Sequence, residues 1–221
     1  AILQQAGWPD AKFDALVDPM CGSGTFLTEA ALMYGDVAPG LLREHYGFLA
    51  WQGHDPELWE QCWQEACQRQ EAGEHKSWPL MMGYDADTSA LRAAEKNIHA
   101  AGVSQFITLE QRELAQLPHK PAAFGLLITN PPYGERLGET DTAIYLYKAL
   151  GRLARERFPM WQVAVLAAQI EHADALGFEH LHTQKLRNGD LTVFARHGKV
   201  QTVPVLAAHR FVEVEGQIPV E

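Results

Sequence analysis

The chain alternates short apolar runs with amphipathic stretches in which apolar positions recur every three or four residues. The short runs predict buried strands, and the longer repeat predicts helices. The predicted strands cover residues 13–19, 80–85, 106–111, 124–130 and 161–168, and the predicted helices cover 24–35, 87–102 and 141–158. Two further β-like runs, 178–186 and 190–198, flank Arg187-Asn188-Gly189, where Asn-Gly predicts a hairpin turn.

This order of elements predicts an α/β fold. We expect a central seven-stranded, mostly parallel sheet with an antiparallel last strand and helices on both faces. In such sheets, ligands bind outside the carboxyl ends of the strands. The turns that follow the predicted strands are therefore the places where chemistry is expected.

A tryptophan-rich insertion covers about residues 40–79 and is predicted to be mostly helical over 55–72. Its Trp59, Cys62, Trp63 and Ala66 lie at i, i+3, i+4 and i+7, which predicts a helix face packed on the domain. The domain is expected to cover 1–200. Residues 201–221, which include two prolines and have no periodicity, are expected to form a tail or linker.

The formal net charge of −10 narrows the possible partners. Because phosphate neutralisation dominates nucleic-acid affinity, this domain on its own should bind RNA or DNA weakly. Either it acts on another substrate, or another part of a longer chain supplies the basic surface. The N-terminus lacks Met and a basic segment, so we expect an excised piece of a longer protein rather than a signal peptide.

Cysteine, histidine and hydropathy patterns indicate the compartment. Cys21, Cys62 and Cys67 form no C-x-x-C pair and cannot all pair with one another, which favours a reducing cytoplasm over a disulfide framework or a structural zinc site. The ten histidines are scattered, so no metal is expected. No apolar run approaches the roughly 20 residues of a membrane span.

The segment DPMCGSGTF (18–26) joins the first predicted strand to the next helix. Gly22 and Gly24 allow close backbone approach to a ligand beside a helix N-terminus. The segment is neither G-x-G-x-x-G nor a P-loop, and a plain tight turn is the alternative.

The segment GYDAD (83–87) ends the second predicted strand with carboxylates. Asp85 is placed to accept hydrogen bonds from ribose hydroxyls, whereas Asp87 is as well placed to cap the next helix. Together the two turns favour a nucleoside cofactor. Nothing in them requires pyrophosphate binding, so S-adenosylmethionine (SAM) fits better than NAD.

The segment LLITNPPYGERLG (126–138) ends a buried strand in a rigid turn. The Asn130 side-chain oxygen and the Pro131 carbonyl are two acceptors that could localise the lone pair of an exocyclic amine. Proline fixes the turn before substrate arrives, and Tyr133 can stack on an unpaired base. A proline-rich turn with a surface tyrosine is the alternative.

The segments DPMCGSGTF, GYDAD, NPPYGERLG and KLRNGDL resemble those of the class I, SAM-dependent guanine-N2 RNA methyltransferases associated with THUMP domains. The likeness is closest to one half of the fused enzymes that modify bacterial 23S ribosomal RNA. It covers essentially the whole chain, including the insertion segment 38–51. It implies a Rossmann-like class I methyltransferase fold and a THUMP domain upstream that would supply most of the RNA affinity.

The resemblance also implies roles for individual residues. Cofactor binding is implied for Asp18, Cys21, Gly22, Gly24, Thr25, Asp85, Ala86, Glu113 and Asn130. A catalytic turn is implied for Asn130, Pro131, Pro132 and Tyr133, and substrate binding for Tyr133, Gly134 and Arg136. Glu113 stands where the family has the Asp that meets the adenine amino group, and glutamate can accept the same bond with a longer reach.

The expected reaction is methylation of guanine N2 in 23S ribosomal RNA by direct transfer from SAM, leaving S-adenosylhomocysteine (SAH). Two alternatives remain open. One is an enzyme of the same fold that acts on adenine N6 of DNA or RNA, or on protein glutamine. The other is a non-catalytic RNA-binding or ribosome-assembly module.

Overall fold

A computed structural model describes residues 1–10, 12–132, 140–179, 181–188 and 191–200. The strands are β1 (Ala15–Asp18), β2 (Leu80–Asp85), β3 (Ile107–Gln111), β4 (Gly125–Thr129), β5 (Gln162–Ala167), β6 (His182–Asn188) and β7 (Leu191–Lys199). The α-helices are α1 (Ile2–Gln5), α2 (Thr25–Tyr34), α3 (Pro56–Glu74), α4 (Thr88–Ala100), α5 (Thr140–Arg157) and α6 (Ile170–Ala175).

The strands form one seven-stranded sheet in the order β3-β2-β1-β4-β5-β7-β6. Pairings among β1 to β5 are parallel, and β7 runs antiparallel to both β5 and β6. The predicted mostly parallel sheet with an antiparallel last strand is confirmed. Because the chain moves outward from β1 to β3 and then returns to β4 beside β1, the switch in strand order lies between β1 and β4.

Helices cover both faces of the sheet. One core cluster includes Leu27 and Ala30 of α2 and Leu91 of α4. The cluster on the opposite face includes Tyr147 and Leu150 of α5. Because the central strands are covered on both sides, every residue of β1 and β4 is buried, which explains their continuous apolar runs.

The predicted hairpin is confirmed as the antiparallel pair β6 and β7. Strand β6 continues through Arg187 and Asn188, and Asn188 pairs with Leu191. Residues 189 and 190, which include the glycine of the predicted Asn-Gly turn, lie outside the described residues.

The predicted insertion helix is confirmed as α3, which begins after Asp55. The Asp55 side chain accepts hydrogen bonds from the backbone N–H groups of Glu57 and Leu58 and so caps the helix. The predicted packing face is only partly correct. Trp59 packs on Tyr46 and Phe48 of the insertion's own loop, and Cys62 is exposed. The aromatic face therefore packs within the insertion rather than on the sheet.

The insertion is joined to the domain near the end of α2. Arg69 of α3 donates two hydrogen bonds to the Asp36 carboxylate, at 2.7 and 2.9 Å. The expected tail 201–221 lies outside the described residues. Within the described part of the chain, no helix is long and apolar enough to cross a membrane.

Candidate active site

Three predicted site residues lie at the same edge of the sheet. Asp18 ends β1, Asp85 ends β2, and Asn130 follows the last residue of β4. Since these strands are parallel neighbours, their carboxyl ends meet at the switch point between β1 and β4. This edge is where an open α/β sheet binds its ligand.

A hydrogen bond links the glycine turn directly to the second strand end. Gly22 has φ +53, a left-handed conformation that favours glycine, and a Cβ placed there would meet no atom within 4 Å. Its N–H donates to Asp85 Oδ2 at 2.8 Å, and Asp87 N–H donates to Asp85 Oδ1 at 2.9 Å. An ionised carboxylate has about four acceptor positions. Asp85 therefore holds the turn in place and keeps acceptors for a ligand.

At position 24, glycine is required by close packing as well as by backbone conformation. It has φ +78, and a Cβ there would lie 3.1 Å from the Ala94 Cβ of α4. Its small size thus permits close packing between the turn and α4. Thr25 then begins α2. The N-cap residue of this helix is Gly24, which has no side chain that could accept hydrogen bonds from the first backbone N–H groups.

Cys21 is held in the turn by its backbone and buried at its side chain. Its N–H donates to the Tyr84 carbonyl at 2.9 Å, which ties the turn to β2. Burial, together with the nearby Asp18 and Asp85 carboxylates, raises the pKa of the Cys21 thiol to about 12. A thiol with that pKa stays protonated at neutral pH and is not a nucleophile.

Asp18 is a buried carboxyl group, only 2% exposed. The Met20 N–H donates to its Oδ1 at 3.2 Å. Burial raises the pKa of Asp18 to about 7, and the nearby Asp85 carboxylate adds to the rise. The group therefore titrates near neutral pH.

Sequence reasoning missed two side chains that fix the turns. Gln111, at the end of β3, donates to the Ala86 carbonyl at 3.1 Å, and Asn97 of α4 donates to the Ser23 carbonyl at 3.0 Å. Asparagine is disfavoured in helix interiors, so its presence at position 97 within α4 could have indicated a specific hydrogen bond. Gln111 is a polar residue at the end of β3, beside the Asp85 turn, and that position was the corresponding signal.

Glu113 lies near the end of β2, because the residue before it is hydrogen-bonded to that strand. The Arg112 N–H donates to the Asp85 carbonyl at 3.0 Å, and Glu113 follows with an exposed side chain. The segment after β3 thus runs beside the Asp85 turn, where the resemblance places the adenine contact.

The Asn-Pro-Pro turn extends β4 outward from the edge. Asn130 is exposed, Pro131 is buried, and Pro132 is exposed again. Tyr133, Gly134 and Arg136 lie outside the described residues. Among the residues that the structure describes, no group of three His, Cys, Asp or Glu side chains is arranged to hold a metal ion.

The sheet order and the edge that gathers Asp18, Asp85 and Asn130 define a Rossmann-like methyltransferase fold. The family model described as "RMKL-like, methyltransferase domain" matches residues 1–196, and the chain belongs to this family.

Named relatives and a solved structure agree with this assignment. The ribosomal RNA large subunit methyltransferase K/L of Syntrophotalea carbinolica is 48% identical over 196 residues, covering 86% of this chain and 27% of that protein. The protein of the same name from Acinetobacter baylyi is 42% identical over 227 residues, covering 98% of this chain and 31% of that protein. The crystal structure of SMU.472 complexed with SAH has a TM-score of 0.80 and 30% identity, covering 91% of this chain and 52% of that one. The chain thus spans less than a third of the length of these two curated relatives.

Proposed function

We propose that this chain is a SAM-dependent methyltransferase domain that methylates the exocyclic N2 of guanine in 23S ribosomal RNA. The observation that carries the proposal is the joining of the Gly22 turn, Asp85 and the Asn130-Pro131 turn at one edge of the sheet. The K/L relatives, named as large-subunit ribosomal RNA methyltransferases, support the substrate class. Work on ribosomal RNA also fits the cytoplasmic location expected from the cysteines.

The described residues fit SAM as the cofactor. Asp85 keeps carboxylate acceptors for two ribose hydroxyls, and the open space beside Gly22 admits a ligand close to the backbone. Asp18 and the uncapped start of α2 at Thr25 provide a carboxyl group and N–H donors for the methionine ammonium and carboxylate. Ala86 and Glu113 border the adenine side of the site. When bound, SAM supplies a methyl group on a cationic sulfur, which becomes the neutral thioether of SAH as the nitrogen–carbon bond forms.

The Asn-Pro-Pro turn prepares the amine. The guanine amino group is a poor nucleophile because its lone pair is delocalised into the ring. The Asn130 side-chain oxygen and the Pro131 carbonyl accept its two hydrogens and favour a pyramidal nitrogen with a localised lone pair. Buried Pro131 and the fixed φ of both prolines hold these acceptors in place beforehand. The amine loses its proton to water only after transfer, so the turn needs no strong base.

RNA binding calls for more surface than this acidic domain offers. We propose that a THUMP domain elsewhere in the full protein provides most of the affinity, and that Tyr133, Gly134 and Arg136 contact the target nucleotide. No metal ion takes part in this scheme.

Replacing Asp85 by asparagine should weaken SAM binding about 10- to 100-fold, because charge-assisted hydrogen bonds to the ribose are lost. The amide also brings an NH₂ group against one of the two backbone N–H donors. Calorimetric titration with SAM measures the change. Asp87→Asn is the matched control: asparagine caps α4 as well as aspartate does, so SAM affinity should stay at the wild-type value. Unchanged affinity in Asp85→Asn would refute the ribose assignment.

The function is tested with methyl-labelled SAM and unmodified 23S ribosomal RNA. After digestion to nucleosides, the label should co-elute with N2-methylguanosine. Label in N6-methyladenosine, or in glutamine of a protein substrate, would instead support an enzyme of the same fold with another amine target. A folded chain that binds neither SAM nor SAH in a calorimetric titration would be a non-catalytic module.

A further inference from the structure

The outer face of α5 has an unusual composition for this acidic chain. The helix as a whole carries four basic side chains against two carboxylates, Asp141 and Glu156; of the four, Lys148 and Arg152 are exposed, whereas Arg155 and Arg157 donate to backbone carbonyls. Tyr145, on the outer face of the same helix, is 70% exposed. Tyr145, Lys148 and Arg152 lie at i, i+3 and i+7, on one side of the helix. We call these three residues the α5 strip.

The charges of the α5 strip are available to a partner. The Lys148 Nζ lies 5.9 Å from the centre of the Tyr145 ring, and this contact leaves its charge unneutralised. The Arg152 Nε is 4.0 Å from a Glu156 oxygen, at the outer limit of an ion pair, and its side chain is 75% exposed. Such exposed pairs contribute little binding energy of their own. By contrast, Arg155 donates to the Leu176 and Gly177 carbonyls and has a structural role.

The strip begins at the edge of the sheet that holds the candidate active site. The Tyr147 hydroxyl donates to the Leu166 carbonyl, next to the carboxyl end of β5, at 2.8 Å. At the far end of α5, the Lys120 N–H donates to the Arg157 carbonyl, just before β4 begins. The helix therefore runs from the carboxyl edge to the opposite edge. Tyr145, two residues before Tyr147, lies at the end nearest the Asn-Pro-Pro turn.

The opposite charge of α3 favours one approach for a polyanion. Helix α3 carries five glutamates and one arginine, and that arginine is paired with Asp36. An anionic strand is thus repelled by the insertion and attracted to α5. Charge complementarity favours a polyanion as the occupant of the strip, and the RNA of the proposed function is the polyanion that reaches this edge of the sheet.

We propose that the α5 strip binds the single-stranded RNA that flanks the target nucleotide. Tyr145 stacks on a neighbouring base, and Lys148 and Arg152, about 6 Å apart along the helix axis, contact phosphates of the same strand. A target base that is presented in a single-stranded segment brings unpaired neighbouring nucleotides beside the turn. The inference rests on the proposed function for the identity of the RNA.

The test measures binding of a fluorescein-labelled single-stranded RNA to this chain by anisotropy, over a series of salt concentrations. Lys148→Glu with Arg152→Glu should weaken binding about tenfold at low salt. Lys148→Gln with Arg152→Gln should reduce the slope of log K against log salt by about 1.4, since each single-strand phosphate contact contributes about 0.7. Tyr145→Ala should weaken binding about tenfold and Tyr145→Phe should restore it, because stacking needs only the ring.

The matched control is the double variant Arg92→Glu with Lys96→Glu on α4. It reverses two exposed charges at the same i, i+4 spacing on the other face of the sheet, and RNA affinity should stay within about twofold of wild type. Equal losses in both double variants, or a loss in neither, would overturn the proposal. So would an absence of RNA binding by the wild type.

Steady-state methylation of unmodified 23S ribosomal RNA separates this inference from the proposed function. The α5 variants should raise KM for RNA while kcat and the SAM dissociation constant stay unchanged. If the anisotropy results hold but no methylated guanosine forms, the proposed function fails and the RNA strip stands. If all variants methylate the RNA with the wild-type KM, the strip fails and the proposed function stands.

Discussion

Replacement of Asn130 by alanine is expected to lower kcat for methyl transfer about 100- to 1000-fold, the usual effect of removing one preorganised polar group from a transition state. The side-chain oxygen is one of only two acceptors that the proposal assigns to the amine. SAM affinity should change less than about threefold, because the proposal assigns most cofactor binding to Asp85 and the Gly22 turn, which are joined to each other by a hydrogen bond. Single-turnover rates with bound SAM, together with a calorimetric SAM titration, measure the two effects separately.

The variant Asn130→Asp tests whether the side chain at position 130 acts as a hydrogen-bond acceptor or only fills space. Aspartate keeps an acceptor oxygen at nearly the same position, although it loses the amide donor and adds a negative charge, so it should retain more activity than Asn130→Ala. Near-wild-type activity in the alanine variant would disprove the proposed activation of the amine. Equal inactivity of both variants would mean that an acceptor oxygen at this position is not sufficient for activity.

The candidate site was largely predictable because its residues lie at strand ends. Apolar runs that stop at Asp18, Asp85 and Asn130 locate the ends of three buried strands, and parallel pairing brings such ends to one edge without any knowledge of side-chain contacts. The order β2-β1-β4, by contrast, was not predicted and is known only from the structure. The Asp87 cap and the α4 boundaries were likewise local, and both predictions agree with the structure.

What the sequence could not provide depends on contacts between distant segments. Asn97 holds the Ser23 carbonyl across 74 positions, and Gln111 holds the Ala86 carbonyl across 25. The fit of Gly24 against Ala94 requires the position of α4, which the turn itself does not encode. The predicted packing face of the insertion helix was only partly correct for a related reason. Its loop residues Tyr46 and Phe48 follow no period, so their packing on Trp59 left no pattern to detect.

The second large effect is expected at Asp18, where the stability of the wild type should fall relative to Asp18→Asn as pH rises. Burial, with a smaller contribution from Asp85, raises the pKa of the folded-state carboxyl from 3.8 to about 7. Between these values the folded chain binds a proton that the unfolded chain has released. The free energy of unfolding contributed by this group is therefore fully present below about pH 4 and is lost as pH rises through 7.

The size of the loss follows from the same two pKa values. Between pH 5 and pH 8 the stability of the wild type relative to Asp18→Asn should fall by about 2–3 kcal/mol, since each pKa unit corresponds to about 1.4 kcal/mol. Asparagine has nearly the same shape and can still accept the Met20 N–H with its amide oxygen, so the variant should fold. At pH 8 it should be the more stable protein, because it buries no charge.

Urea unfolding of both proteins at pH 5, 6, 7 and 8 measures the difference directly, and effects of other titrating groups largely cancel in it. Asp10→Asn removes one exposed carboxylate and changes the net charge equally, so its difference from wild type should stay nearly constant over the same range. A difference that is also constant for Asp18→Asn would show that Asp18 is ionised throughout. Asp18 would then carry a fixed negative charge where the proposal places the methionine end of SAM. A difference that follows pH as expected would instead make it a carboxyl group that binding of the cationic cofactor can deprotonate.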